Sequence, residues 1–396
     1  MKDNLETVAF LEMGFRPFFL GAALFAAISM VLWSAIYLFQ LPVEIESVTI
    51  FEWHAHEMFY GYAFAVIAGF LLTSVRNWTH LPTAHGSTLL LLFMLWAAAR
   101  ILFMFGTAYI WIAGIFDIAF ALCLSYILTR RIVKAGKWNQ LGIVTKLLLI
   151  MACNILFYLG ALGMLEHGVA WGIYGGLYIV IALILTMGRR VIPFFIERAT
   201  GDAVKLFNSR WIDLSSLLFF LLFTVNELFF GQHTLSAYLA LALFIINAIR
   251  LVGWHHPVIW KQSLLWSVYL AFWMITLGFA LFALPYFAAP YFGDISRLLA
   301  IHAFTVGGIG MITMGIMARV SLGHTGNNVY QPPVAVTYAL AAILLSAVAR
   351  IILPLLDLWP YAWLIGLSQG LWIAAFLIFT AVYAPILIRP GKRPSL

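Results

Sequence analysis

The sequence predicts an all-α protein, a polytopic transmembrane helix bundle with about twelve membrane helices. Of its 396 residues, 64% are hydrophobic and only 9% are charged, and the mean hydropathy is +1.01. A folded soluble domain cannot hide so much apolar surface, because polar groups must cover much of its exterior. The apolar residues also form continuous runs that are long enough to cross a hydrocarbon core as helices.

Twelve apolar runs support this prediction. Each contains roughly 19–24 residues, which suits a core of ~30 Å at ~1.5 Å per helical residue. Transmembrane strands would need only ~10 residues each with strict alternation, and these runs are longer and continuous. The runs lie near residues 18–39, 55–75, 87–105, 108–128, 142–163, 169–187, 212–230, 236–254, 264–284, 298–317, 334–353 and 361–384.

The basic residues predict the orientation of the chain. With twelve spans, nearly all lysines and arginines outside the runs fall on one side, and Arg297 lies on the other. The positive-inside rule then places both termini in the cytoplasm. The net charge of +7 is therefore a topology signal and does not indicate a nucleic-acid partner. Because the loops are short, residues 1–396 are expected to form a single integral membrane domain.

Short similarities within the chain suggest an internal repeat. MGFRPFF (13–19) precedes the first run and MGRRVIPFF (187–195) precedes the seventh, as two six-helix halves at about 1–187 and 188–396 would require. A second pair, AAARIL (97–102) and AVARII (347–352), lies in the third and eleventh runs, which would not correspond in that duplication. The sequence therefore leaves the duplication open.

Ionisable residues inside the runs are the candidate functional residues. A charged side chain is costly in a bilayer unless it is paired or faces a cavity, so such residues concentrate at functional sites. Most of them are expected in the outer third of the membrane. Three carboxylates, Glu57, Asp117 and Glu227, are candidate proton carriers and thus candidate catalytic residues. The remaining candidates are His54, His56, Arg100, His302 and Arg350.

The sequence WHAHEM begins the second run and supplies two of the candidate metal ligands. Three imidazoles, from His54, His56 and His302, would suit copper or haem iron. Residues two apart on a helix point to nearly opposite sides, so His54 and His56 could bind one metal only if the helix starts at or after His56. Glu57 could orient a ligating imidazole. The alternatives are a polar cap on this helix and, for His302, a structural hydrogen bond.

Two arginines and one further histidine are candidate cofactor-binding residues. Arg100 and Arg350 could clamp haem propionates, because a guanidinium fork suits a carboxylate, or they could pair with Asp117 and Glu227. His324 lies between glycines in GHTG on the cytoplasmic side, where it could bind a metal or shape a turn. The chain has no CxxCH site for c-type haem and no dinucleotide fingerprint.

Four strings of the sequence resemble the NnrS family, and the resemblance spans nearly the whole chain. It implies a twelve-helix bacterial inner-membrane protein that contains haem b and copper and is linked to nitric oxide stress and denitrification. The strings are MGFRPFFLGA (13–22), WHAHEMFYGYAFAVIAGFLLTSVRNWT (53–79), GRRVIPFF (188–195) and IHAFTVGGIGMITMGIMARVSLGHTG (301–326). The resemblance matches family residues to His54, His56, His302, His324 and Arg16.

Two positions depart from the family pattern. Tyr158 and Tyr269 stand where many members have histidine. If either histidine ligates a metal in those members, this chain must use tyrosine or another residue. The resemblance therefore does not fix the number of haems or their axial ligands.

Two classes of function follow. In the first, a haem- and copper-binding protein protects against nitric oxide by binding it or converting it in the periplasmic half of the membrane. Reductive conversion would need a membrane electron donor and protons. In the second, the protein is a secondary transporter of a small anion or a metal-related solute, in which Arg100, Asp117 and Arg350 bind an anion or relay protons. A sensor is a third alternative, but no output domain is visible. A carrier should be colourless, whereas a haem protein should not.

The topology has a direct test. Reporter fusions at Lys134 and at the C-terminus should report a cytoplasmic location, and a fusion near Glu166 should report a periplasmic one, because the lysines and arginines are so unevenly distributed. Opposite results at two of these three sites would contradict the twelve-helix arrangement.

Overall fold

The structure is a helical membrane protein with the predicted number of spans. The computed structural model describes residues 8–42, 47–292 and 296–391, with the backbone alone at residues 107 and 288–292. These ranges contain no strand, and 12 of their helices are long and apolar enough to cross a membrane. The predicted fold class and the twelve spans are confirmed.

The spanning helices are numbered in chain order. They are α1 Phe15–Tyr37, α2 Ile50–Thr79, α3 Gly86–Met104, α4 Ile110–Lys134, α5 Trp138–Ala161, α6 Gly168–Ala199, α7 Arg210–Phe230, α8 His233–Trp254, α9 Ser263–Phe287, α10 Arg297–His324, α11 Val334–Leu356 and α12 Tyr361–Ile388.

The chain forms two compact units. The first, unit 1, comprises Met1–Val180, Arg319–Asn327 and Phe376–Leu396, and the second, unit 2, comprises Ile181–Ala318 and Asn328–Ala375. Unit 1 therefore contains α1–α5 together with parts of α6, α10 and α12. The proposed six-plus-six duplication stays a prediction.

Within each unit, helices that are neighbours in the sequence pack against each other. In unit 1, α3 packs on α4 and α4 packs on α5, while in unit 2 α8 packs on both α7 and α9. Small residues allow backbones to approach closely where α5 meets α6. A Cβ at Gly160 would lie 2.3 Å from the amide nitrogen of Val169, and one at Gly168 would lie 2.5 Å from the carbonyl oxygen of Leu156. This crossing therefore needs glycine on both helices.

Four of the spanning helices contain a π-helical stretch, which sequence analysis did not predict. Each stretch begins at, contains or directly follows an ionisable residue that the sequence singled out: Glu57, Glu227, His302 and Arg350. A π turn widens the helix and is frequent at functional sites. The stretches are Glu57–Ala63 in α2, Asn226–Phe230 in α7, Ala303–Gly310 in α10 and Val348–Ile352 in α11.

Arg16, the arginine of MGFRPFF, holds the end of the last helix in place within unit 1. Its guanidinium is buried, and Nη1 donates to the carbonyl oxygens of Leu387 at 2.9 Å and Arg389 at 2.7 Å. Nη2 lies 3.7 Å from Glu12. The last carbonyls of a helix have no partner within the helix, and its C-terminus carries partial negative charge. Arg16 therefore donates the hydrogen bonds that the last carbonyl groups of α12 need, and it joins this helix end to α1.

Replacing Arg16 tests this role. Arg16→Met should lower the unfolding free energy by about 2–4 kcal/mol, because it removes two hydrogen bonds from a charged donor and leaves buried carbonyls unsatisfied. Thermal unfolding in detergent, followed by circular dichroism, measures the change. Arg130→Met, at an exposed arginine of α4, is the matched control and should be close to wild type. Equal stability of the two variants would contradict the capping role.

Candidate functional site

Six polar side chains from four helices meet in the interior of unit 1. We call them the buried polar cluster. All are at most 3% exposed, although they lie inside apolar spanning helices. Such burial is tolerated only where the polar groups satisfy one another. The members are His56 and Glu57 on α2, Arg100 on α3, Asp117 on α4, and Asn154 and Tyr158 on α5.

Arg100 joins the two carboxylates of the cluster. Its Nη1 donates to Oε1 of Glu57 at 2.5 Å, and its Nη2 donates to Oδ2 of Asp117. The hydroxyl of Tyr158 donates to the same Asp117 oxygen at 2.7 Å. Pairing of Arg100 with Asp117, one of the two roles that the sequence allowed, is therefore present. Glu57 is a further partner that sequence analysis did not assign to Arg100.

His56 belongs to this cluster through both ring nitrogens. Nδ1 lies 3.0 Å from Oε1 of Glu57, and Nε2 lies 3.0 Å from Oδ1 of Asn154. The ring stacks on Phe157 with the centroids 4.2 Å apart, and it is fully buried. Both ring nitrogens of His56 are therefore engaged by side chains of the cluster in this arrangement.

The charges of the cluster balance only when His56 and Glu57 share one extra proton. Arg100 contributes one positive charge and the two carboxylates contribute two negative charges. If Glu57 is ionised, acceptor oxygens face both ring nitrogens, so His56 donates twice and is positive. If Glu57 carries the proton instead, its Oε1 donates to Nδ1, and a neutral His56 donates from Nε2 to Asn154. Either state leaves no net charge, as burial in a membrane favours.

The π-helical stretch of α2 shapes the cluster. A Cβ at Gly61 would lie 3.1 Å from Nη1 of Arg100 and 2.4 Å from the ring of Phe25, so only glycine leaves room there. The carbonyl oxygen of Gly61 accepts a hydrogen bond from Nε1 of Trp96 at 2.8 Å, and the Tyr60 hydroxyl donates to Gly172 at 2.6 Å. The irregular turn is thus tied to α3 and α6, and it admits the Arg100 guanidinium.

His54 lies apart from the cluster on the same helix. The helix begins at Ile50, and Thr49 and Glu52 form a capping box before it. His54 is half-buried and stacks on Trp33, with centroids 4.4 Å apart and an angle of 11° between the rings. Since both histidines lie within the helix, His54 and His56 point to different sides, which is the case in which the sequence predicts different roles for them. Their binding of a metal stays a prediction.

The remaining candidates of the outer level belong to unit 2. Nδ1 of His302 lies 2.7 Å from the carbonyl oxygen of Leu298, so this nitrogen must carry a hydrogen and donate it. Glu227 pairs with Arg297. Arg350 donates to the Tyr361 hydroxyl at 2.5 Å. The alternative that paired Arg350 with Glu227 is wrong, because each has another partner.

Two predictions from the sequence remain, the position of His324 and the metal site formed by three imidazoles. His324 is half-buried in unit 1, with its ring centroid 5.7 Å from that of Phe15. Among the residues that the structure describes, no group of three or more His, Cys, Asp or Glu side chains could hold a metal ion. Because His54 and His56 belong to unit 1 and His302 belongs to unit 2, their convergence stays a prediction.

Sequence analysis missed Asn154 as a member of the cluster and noted Tyr158 only as a departure from a family. A search for charges and imidazoles passes over an amide. The available signal was an asparagine in the middle of the apolar run 142–163, because an amide in hydrocarbon also needs a partner.

These features define a class of protein, a polytopic helical membrane protein with a buried, charge-balanced cluster. The sequence model of one protein family, described as NnrS protein, matches residues 9–391. The chain therefore belongs to the NnrS family. No curated protein matches the chain.

The ion pairs of the cluster predict that replacing Arg100 costs more stability than replacing Arg350. Arg100→Leu should lower the unfolding free energy by about 3–5 kcal/mol, because it leaves Glu57 and Asp117 buried without their cation. Arg350→Leu should have a small effect, since it removes one hydrogen bond at a half-buried position. Thermal unfolding of both purified variants measures the difference. If the two substitutions cost the same, the central position of Arg100 is refuted.

Proposed function

We propose that the protein binds haem b and copper in the inner membrane and protects a bacterium against nitric oxide, by binding it or converting it. The observation that carries the proposal is the hydrogen bond from Nδ1 of His302 to the Leu298 carbonyl. Histidines that ligate metals usually donate their other ring N–H to a carbonyl or carboxylate, which fixes the tautomer. Nε2 of His302 then carries the lone pair that a metal would bind. Membership of the NnrS family is the second support.

The chemistry of the available donors fits haem iron and copper. Imidazole nitrogen is a ligand for both metals. His302 and His54 are the histidines proposed to bind a metal. His56 would first have to give up both of its hydrogen bonds inside the cluster, so its proposed role is to hold Glu57. His324 remains the candidate for a further metal or cofactor contact. When bound, haem iron would supply the position at which nitric oxide binds.

The two arginines differ in how well they suit a haem propionate. Both Nη groups of Arg100 already bind carboxylates of the chain, whereas Arg350 donates a hydrogen bond to a neutral hydroxyl, that of Tyr361. A guanidinium with a neutral partner has charge available for a propionate. Arg350 is therefore the proposed propionate ligand, and Arg100 is proposed to act through the buried polar cluster.

The proposed contribution of the cluster is to position α2. Arg100 and Asn154 fix the turn of α2 that carries His56 and Glu57, and His54 lies on the same helix. A converting reaction would also need protons and a membrane electron donor. Glu57, Asp117 and Glu227 are the candidate proton carriers. Of the three, Glu57 has a buried oxygen, Oε2, with no hydrogen-bond partner among the described residues.

Anion transport is the alternative, and the contacts favour it less. A carrier that binds an anion through Arg100 needs a guanidinium that is not already neutralised. Arg100 is paired with two carboxylates, so an anion that entered the charge-balanced cluster would give it a net negative charge unless a carboxylate left first.

The optical spectrum and copper content of the purified protein test the proposal. The wild type should show a haem Soret band and bound copper. His302→Ala and His54→Ala should each lose haem or copper, because the loss of one ligand exposes the metal to exchange. His233→Ala changes an exposed histidine at the start of α8 and should leave both readings unchanged. A wild-type protein without colour and without copper would contradict the proposal and favour a carrier.

A further inference from the structure

One end of unit 2, which the basic residues predict to be cytoplasmic, holds several guanidinium groups around one carboxylate. Arg189 on α6 pairs through Nη1 with Oδ2 of Asp213 on α7, and Arg250 on α8 donates through Nη2 to Oδ1 of the same residue at 3.0 Å. Arg190 lies close enough to Arg189 and Asp213 for both charges to act on it. We call Arg189, Arg190, Arg250 and Asp213 the arginine site.

Arg250 makes the site rigid. It is 3% exposed, and its Nη1 donates to Oδ1 of Asn247 at 2.7 Å. Its Nη2 also lies 3.2 Å from the carbonyl oxygen of Ile212, and its guanidinium lies 5.7 Å from the Trp254 ring centroid. These contacts fix Asp213 and, through it, Arg189. An arginine that acted only as a topology signal would not need such a set of partners.

The site carries an excess of positive charge. Arg189 and Arg250 share the single carboxylate of Asp213, and Arg190 adds a third positive charge next to Arg189 in the chain. The other acidic residues at this end have basic partners of their own, since Glu197 pairs with Lys205 and Asp202 pairs with Arg198. Arg190 is exposed and Arg189 retains 24% of its side-chain exposure, so part of the excess charge is accessible. An anion could approach from this side.

The position of the site along the helices matches the headgroup region of a membrane. Arg189 lies two residues after the end of the apolar run 169–187, and Asp213 lies in the first turn of α7. The flanking side chains are large, apolar and exposed, including Phe194 at 52%, Trp211 at 79% and Leu214 at 53%. Exposed tryptophan at the end of a span is typical of the membrane interface. The surroundings therefore suit a ligand with both charged and apolar parts.

We propose that the arginine site binds the phosphate group of an anionic phospholipid. Guanidinium groups match phosphate oxygens in geometry and charge. Basic sites between spanning helices on the cytoplasmic side commonly hold anionic lipid headgroups. Inorganic phosphate could bind the guanidinium groups in the same way, but it has no apolar part that could contact Phe194, Trp211 and Leu214. This site is independent of the metals proposed above, so either proposal can fail alone.

The first experiment compares ligands on the wild-type protein. The delipidated protein in neutral detergent is titrated with phosphatidylglycerol, phosphatidylethanolamine or inorganic phosphate, and native mass spectrometry counts the adducts. Phosphatidylglycerol should bind saturably at low stoichiometry and raise the thermal unfolding temperature. The zwitterionic lipid and the inorganic ion should do neither at the same concentration. Equal binding of both lipids, or full competition by an equal concentration of inorganic phosphate, would overturn the proposal.

The second experiment compares variants. Arg190→Gln, at an exposed position, should weaken binding of phosphatidylglycerol about fivefold, the effect expected of one basic residue near an anionic headgroup. Arg189→Gln should weaken it at least as much. Arg130→Gln removes an exposed arginine of α4, in unit 1, and should leave binding unchanged. Unchanged binding in Arg190→Gln, or an equal loss in Arg130→Gln, would overturn the proposal.

Discussion

Arg100 is held between two carboxylates inside unit 1, and the arrangement of α2 to α5 depends on this interaction. A guanidinium with no partner, or a carboxylate without its cation, is strongly disfavoured away from water. Glu57 and Asp117 are the anionic partners of Arg100. The Tyr158 hydroxyl also donates to Asp117, and Asn154 is hydrogen-bonded to His56. Because each helix contributes at least one member, none of the four can move without breaking a buried polar contact.

The same constraint explains local features that would otherwise look unrelated. The π-helical stretch of α2 begins at Glu57, and Gly61 within it leaves space for the Arg100 guanidinium. In unit 2, charges are also paired where they are buried, as Arg250 and Asp213 show. Both units thus contain buried charged side chains that are paired with oppositely charged neighbours.

Much of this could be predicted from the sequence. Apolar runs predicted the twelve spans, because span length depends only on the thickness of the bilayer. The cost of burying charge indicated that Arg100 needs a partner, and Asp117 is one. The sequence could not predict Tyr361 as the partner of Arg350, because that depends on helix rotation. Nor could it predict the π-helical stretches, which widen a helical turn and have no distinctive composition. The start of the helix was also open from the sequence, and because α2 begins at Ile50, His54 and His56 point to different sides of it.

The central claim is that charge balance, and not the individual ion pairs, stabilises the buried polar cluster. The most direct test compares the unfolding free energy of Arg100→Met with that of a variant that also carries Glu57→Gln and Asp117→Asn. Breaking a buried ion pair is costly, whereas replacing all of its charged members by neutral groups of similar size often is not. The triple variant should therefore regain most of the stability that Arg100→Met loses. If it is as unstable as Arg100→Met, or less stable, the claim is contradicted.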